Sequence, residues 1–148
     1  MLTLLETFGR NSRITFPFKR IKKLENVPAA ERNVMGLVTY VYHLFPNALV
    51  TVLSSHTNLV VLEPLAIDKT RFVSYTLTNP GHGDTAEAVA AAKRDAEFVG
   101  NTGAAEDRAV VSAIQRGLAS GANKVFTFGH YESLIAHFHR QLTAALAA

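Results

Sequence analysis

The chain has 148 residues, 48% of them hydrophobic, a formal net charge of +3 and no cysteine. This is enough for one domain, residues 1–148, with its own core, and too short for two ordinary ones. The missing thiols exclude a disulfide framework, cysteine-ligated zinc and a thiol nucleophile, and they fit a reducing, cytoplasmic setting. No charged-then-apolar leader and no run of roughly 18 apolar residues is present, so no membrane association is expected.

From the N-terminus, Leu2, Leu5 and Phe8 fall at helical spacing, and Gly9 would end that helix. Arg13 to Phe18 alternates, with Ile14, Phe16 and Phe18 on one side, and reads as a short strand whose Pro17 suits a sheet edge. Lys19 to Asn33 is polar and broken by Pro28, a loop with a helical turn at most. Its cluster Lys19, Arg20, Lys22 and Lys23, flanked by Phe16 and Phe18, resembles a nucleic-acid patch only superficially. No nucleic-acid motif accompanies it, so it reads as a solvated face, with an acidic electron-transfer partner as the alternative.

Four strands are predicted next. Gly36 to Phe45 is rich in β-branched and aromatic residues on both sides, as in a strand packed on both faces or lining a cavity. Ala48 to Ser54, Leu59 to Leu65 and Thr70 to Thr78 follow, separated by short turns at residues 55–58 and 66–69, and short turns imply antiparallel pairing. Glu63 interrupts an oily strand just before Pro64, which suits edge exposure.

After the loop Asn79 to Gly83 the period changes from 2 to 3.6. Asp84 and Glu87 have capping-box spacing, and the Ala-rich run to Val99 favours helix. Gly100-Asn-Thr-Gly103 marks an interruption. A second helix to about Ala119 puts Asp107, Val110, Val111, Ile114 and Leu118 on one face. A third, after Gly129, has Tyr131, Leu134, Ile135, Phe138 and Leu142 as its buried stripe, with an extended piece at Lys124 to Phe128 before it. Strands followed by long helices make an α+β class.

Asp107 is the residue of chemical interest, because a carboxylate inside an apolar stripe demands a cation, a metal or hydrogen-bond donors opposite it. A place at a helix start or beside a crevice would account for it equally well. The histidines offer no chelating pair: His137 and His139 point to different sides of a helix, His130 and His137 are two turns apart, and His56 and His82 lie in predicted turns. His43, in the most apolar strand, faces either a pocket or the core. There is no Gly-rich phosphate loop, no Ser/His/Asp order and no paired catalytic carboxylates, since Glu106 and Asp107 diverge on the helix.

The run EDRAVVSAIQRGL, with FGHYESLIAHFHRQL after it and LFPNALVTV and PLAIDKTRFVSYTL before it, resembles the C-terminal catalytic domain of the α subunit of Rieske non-heme iron oxygenases, the aromatic-ring-hydroxylating family. The resemblance runs from about Arg13 to the end. It implies a helix-grip, START-like fold in which an antiparallel sheet wraps around a long C-terminal helix and leaves an apolar pocket. It also implies Fe(II) held by two His and one carboxylate, with Asp107 at the carboxylate position. The family's [2Fe-2S] cluster needs two Cys and two His in an N-terminal domain, so this chain cannot hold it. The family's N/D-x-x-H-x-x-x-x-H motif is missing as well, because no two histidines here are five apart.

The expectation is therefore a truncated catalytic domain that does not turn over by itself. The alternatives are a non-catalytic module holding a hydrophobic or aromatic small molecule, an assembly subunit, and a domain completed by a separate chain bearing the missing half. Tyr40, Tyr42, His43, Val52, Leu62, Phe72 and Tyr75 from the strands, with Val111 and Ile114 from the Asp107 helix, are the candidates for a pocket, and alternation sends part of the strand set to the other face. Self-association into a homo-oligomer is expected from uncovered apolar surface and strand edges.

Overall fold

A computed structural model describes residues 3–79, 85–122 and 125–148, without the side chains of residues 95, 98, 99 and 101–105. Its centre is a six-stranded antiparallel meander, β1 (Leu4–Phe8), β2 (Asn11–Pro17), β3 (Val38–Leu44), β4 (Ala48–Val52), β5 (His56–Ala66) and β6 (Lys69–Thr78), paired in chain order. Two α-helices follow, α1 (Ala86–Ala119) and α2 (Ser133–Leu146), and the polar stretch between β2 and β3 forms two short 3-10 turns. The arrangement is α+β, a sheet with long helices on one side, consistent with the helix-grip fold. No helix among the described residues is long and apolar enough to cross a membrane.

The first segment is a strand where helical spacing suggested a helix. A helix at residues 4–8 would leave the sheet-forming groups of β2 unpaired, whereas a two-residue turn at Gly9 and Arg10 brings Phe8 opposite Asn11. Gly9 has φ +60, a conformation that favours glycine and suits the first position of such a turn. This pairing also moves β2 into the interior of the sheet, so Pro17 closes an inner strand opposite Val38 and does not mark an edge. The turn predicted at residues 55–58 is shorter than expected: β5 begins at His56, which is 2% exposed and not solvent-facing. Glu63 is half-buried on an inner strand and not at an edge, and it pairs with Arg71 of β6 at 3.2 Å.

Register assigns every strand residue to a face. Across the six strands, Glu6, Arg13, Tyr42, Val50, Leu59 and Tyr75 stand side by side, and Thr15, Tyr40, Val52, Thr57 and Leu77 form the next row of the same face. The opposite face carries Ser12, His43, Leu49, Val60 and Ser74 in one row, with Leu62 and Phe72 one step along. The helices lie on this second face. Phe138 of α2 meets His43 edge-on, ring centroids 5.0 Å apart, and also Phe45 at 6.4 Å. At the other end of the sheet, α1 packs against β6.

The α2 face turned inward holds His137, which is buried, and the half-buried Leu134, Phe138 and Leu142. Two residues of the predicted stripe lie outside it: Tyr131 precedes the helix and is 73% exposed, and Ile135 is 42% exposed. Residues 125–128 have no regular structure, so the extended piece predicted there does not join the sheet; Lys124 lies outside the described residues. The predicted break at residues 100–103 is absent, and α1 is one helix of 34 residues. Its N-cap is Thr85, whose hydroxyl accepts from Ala88 N–H at 3.2 Å. Asp84, the predicted cap, and His82 lie outside the described residues.

Candidate functional site

An open cleft of about 830 Å³ separates α1 from the β5–β6 hairpin. Leu62 and Phe72 supply part of the sheet side, and Ile67, Asp68, Lys69 and Thr70 of the hairpin tip close one end. From the helix come Asp107, Arg108, Val111, Ser112 and Gln115. Those five recur at i, i+1, i+4, i+5 and i+8, which is a single helical face. It is not the face that apolar spacing selects. Val110, Ile114 and Leu118 turn away from the cleft and are 56%, 48% and 41% exposed, while Gln115 is the best-covered of residues 106–120.

Asp107 is thus at the cleft but is not held in a core. Its side chain is exposed, and among the described residues no hydrogen bond or ion pair engages it. The expectation of a charge forced inward by its apolar neighbours is corrected by the helix's position: the stripe around Asp107 meets solvent, so no compensating cation is required. Asp68, Lys69 and Arg108 add two cations and a second carboxylate around the same opening, with no ion pair among them. The lining therefore combines an apolar floor with a charged rim.

The cleft collects four of the residues expected at a site, namely Asp107, Val111, Leu62 and Phe72. The others are elsewhere. Tyr40, Tyr42, Val52 and Tyr75 occupy the opposite face of the sheet. There Arg13 donates to Glu6 Oε2 through Nε and Nη2 at 2.9 and 2.7 Å and to Tyr42 Oη at 3.3 Å, and its guanidinium lies 5.2 Å from the Tyr40 ring centroid. The hydrogen bonds to Tyr42 and then to Glu6 raise the Arg13 pKa above its ordinary value. His43 is on the helix side but against Phe138, outside the cleft lining, and Ile114 faces outward. The polar residues Arg108, Ser112 and Gln115, and the hairpin tip, were not expected from sequence. A polar stripe one residue out of phase with the apolar one was the available signal.

An iron site of two imidazoles and one carboxylate does not fit these residues. Among the described residues no histidine lines the cleft, and no three His, Cys, Asp or Glu side chains converge as metal ligands. Three histidines have a buried ring nitrogen without a hydrogen-bond partner, His43 Nδ1, His56 Nε2 and His137 Nε2, yet none of them reaches Asp107's cleft.

An antiparallel sheet with helices on one face and a cleft between α1 and the sheet is an α+β arrangement consistent with the helix-grip fold. Residues 11–148 match the family described as Ring hydroxylating alpha subunit (catalytic domain), and the chain belongs to that family. No curated protein and no solved structure matches it.

Proposed function

We propose that this chain is a partial catalytic domain of an aromatic-ring-hydroxylating dioxygenase, that its cleft receives a flat apolar molecule, and that it does not turn over alone. The observation that carries this is the meeting of Asp107, at the position that the family resemblance gives to the iron carboxylate, with Leu62, Phe72 and Val111 in one cleft. An apolar floor binds an aromatic skeleton by excluding water, and polar groups at the rim orient it. Since no imidazole donors line the cleft among the described residues, iron chemistry in this reading needs two His from outside them and a redox partner to bring electrons.

A cleft whose described lining is apolar and polar without histidine favours a second reading, a non-catalytic module that keeps a hydrophobic small molecule, or an assembly subunit. Two titrations separate the readings. In anaerobic calorimetry with Fe(II), wild type and Asp107→Ala should behave alike, without stoichiometric binding. Tight binding that Asp107→Ala abolishes would show that this chain completes an iron site unaided and would overturn the partial-domain reading. A naphthalene probe followed by its own emission should bind wild type and bind Phe72→Ala several-fold more weakly. Equal binding to both would remove the cleft from either reading, and hydroxylation by the purified, partner-free chain would end the claim of inactivity.

A further inference from the structure

We propose that the cleft selects an uncharged aromatic ligand bearing a hydrogen-bonding oxygen, a phenol in preference to a bare hydrocarbon, and that Gln115 together with Ser112 reads that oxygen. The inference rests on the proposed cleft and narrows its occupant. Leu62, Phe72 and Val111 give the cleft its apolar surface, and Ser112 and Gln115 share the helical face of Val111. Ser112 and Gln115 are three residues apart, so their Cβ atoms stand about 5–6 Å from one another on adjacent turns. One ligand oxygen can meet both. Among the described residues no hydrogen bond within the protein engages either side chain. Gln115 is also the one residue from 106 to 120 that is half-buried, the rest being exposed. An amide so placed keeps its water only while the cleft stands empty.

Two features choose the ligand. The first is hydrogen bonding. A hydrocarbon filling the cleft would strip water from the amide and the hydroxyl and replace none of it, whereas a phenolic O–H can donate to Gln115 Oε1 and accept from Ser112 Oγ. Polar groups that a ligand must satisfy are what let a site reject an analogue lacking the matching oxygen. The second is charge. Asp68 and Asp107 surround the same opening as Lys69 and Arg108, and no ion pair joins any of them. Two carboxylates and two cations leave no net attraction for a ligand carboxylate or ammonium, so selection falls to the uncharged groups. Because water competes in an open cleft, the preference for the phenol should be about fivefold, the worth of one neutral hydrogen bond.

Titration of the full chain with naphthalene, 2-naphthol and 2-naphthoate at pH 7, followed by probe emission, tests the proposal, because the three share one ring system and differ in a single substituent. Wild type should bind 2-naphthol more tightly than naphthalene, and 2-naphthoate no more tightly than naphthalene. Gln115→Leu, close in volume and set on an accessible helix face, should keep the wild-type circular dichroism, bind naphthalene at least as well and lose the preference for 2-naphthol. Ser112→Ala should reduce that preference. Equal binding of naphthalene and 2-naphthol by wild type overturns the proposal, and so does a preference that survives both substitutions. In either case the cleft reading stands if Phe72→Ala still weakens naphthalene. A preference for 2-naphthoate also overturns it, and reassigns the cleft to an anion held by Lys69 and Arg108. Failure of all three probes to bind removes the cleft reading and this proposal together.

Discussion

The two helices use the same face of one sheet in opposite ways. Over β1 to β3, α2 is seated: His137 is buried, and Phe138 meets His43 and Phe45. Over β5 and β6, α1 touches β6 and buries Ala92 in its first half, but from Asp107 onward its polar side faces the sheet across an open cleft and its apolar side faces outward. The difference is one of complementarity. An aromatic side chain opposite a half-buried imidazole can close a gap, whereas Asp107, Arg108, Ser112 and Gln115 keep their solvation only if the helix stays away from Leu62 and Phe72. α2 closes on its part of the sheet, whereas the second half of α1 leaves a gap over Leu62 and Phe72.

The largest effect should come from breaking the seated half. Phe138→Ala removes the ring that joins α2 to β3 and should cost about 3 kcal/mol, at the lower end for a core Phe because the site is only half-buried. Urea denaturation would show it as a lower midpoint at unchanged slope. The matching change in the open half, Phe72→Ala, should move the midpoint by no more than about 0.5 kcal/mol, since that ring is 67% exposed. Comparable losses from both would mean that α1 is seated too and that the cleft closes in solution.

A smaller effect is expected on the face that bears no helix. Arg13 joins Glu6, Tyr42 and the rings of Phe8 and Tyr40 across three strands, so Arg13→Met should cost about 1 kcal/mol, a value held down by the partial exposure of the pair. The sign of its pH dependence follows from the raised pKa. A cation whose folded pKa exceeds its unfolded value contributes below the unfolded value and loses that contribution only as pH rises through the folded one. Both lie in strong alkali, so titration of Arg13 itself should leave the wild-type minus Arg13→Met difference flat from pH 6 to 9. A slope there would point to a different group.

Much of the sheet was legible because its signals are local. β4 alternates, β3 is rich in β-branched and aromatic residues, the connections from β3 to β6 are short, and short connections leave antiparallel neighbours as the economical pairing. β1 was not legible, because Leu5 and Phe8 satisfy a helical spacing as well as they satisfy a strand, and only the partner strand β2 decides. The site was half legible. Spacing found the helix bearing Asp107 but chose its apolar side, and a period reports which side is oily, not which neighbour it meets. The split of the pocket candidates, with Leu62 and Phe72 on one face and Tyr40, Tyr42, Val52 and Tyr75 on the other, needed the strand register, a non-local quantity.

The smallest effect tests the stand-off helix itself. Sequence punctuation puts a break at residues 100–103, whereas α1 passes through them, and Gly100 has an ordinary negative-side φ with open space where a Cβ would stand. In a continuous helix, Gly100→Ala should stabilise by about 0.5–1 kcal/mol, because alanine loses less backbone freedom on folding and meets no neighbour. The gain should appear chiefly as slower amide exchange in α1, with α2 unchanged, since the two helices share the sheet but not a contact of this kind. A loss of stability would mean that Gly100 adopts a conformation alanine resists, that α1 is two helices, and that the second of them is free to bring Asp107 closer to the sheet.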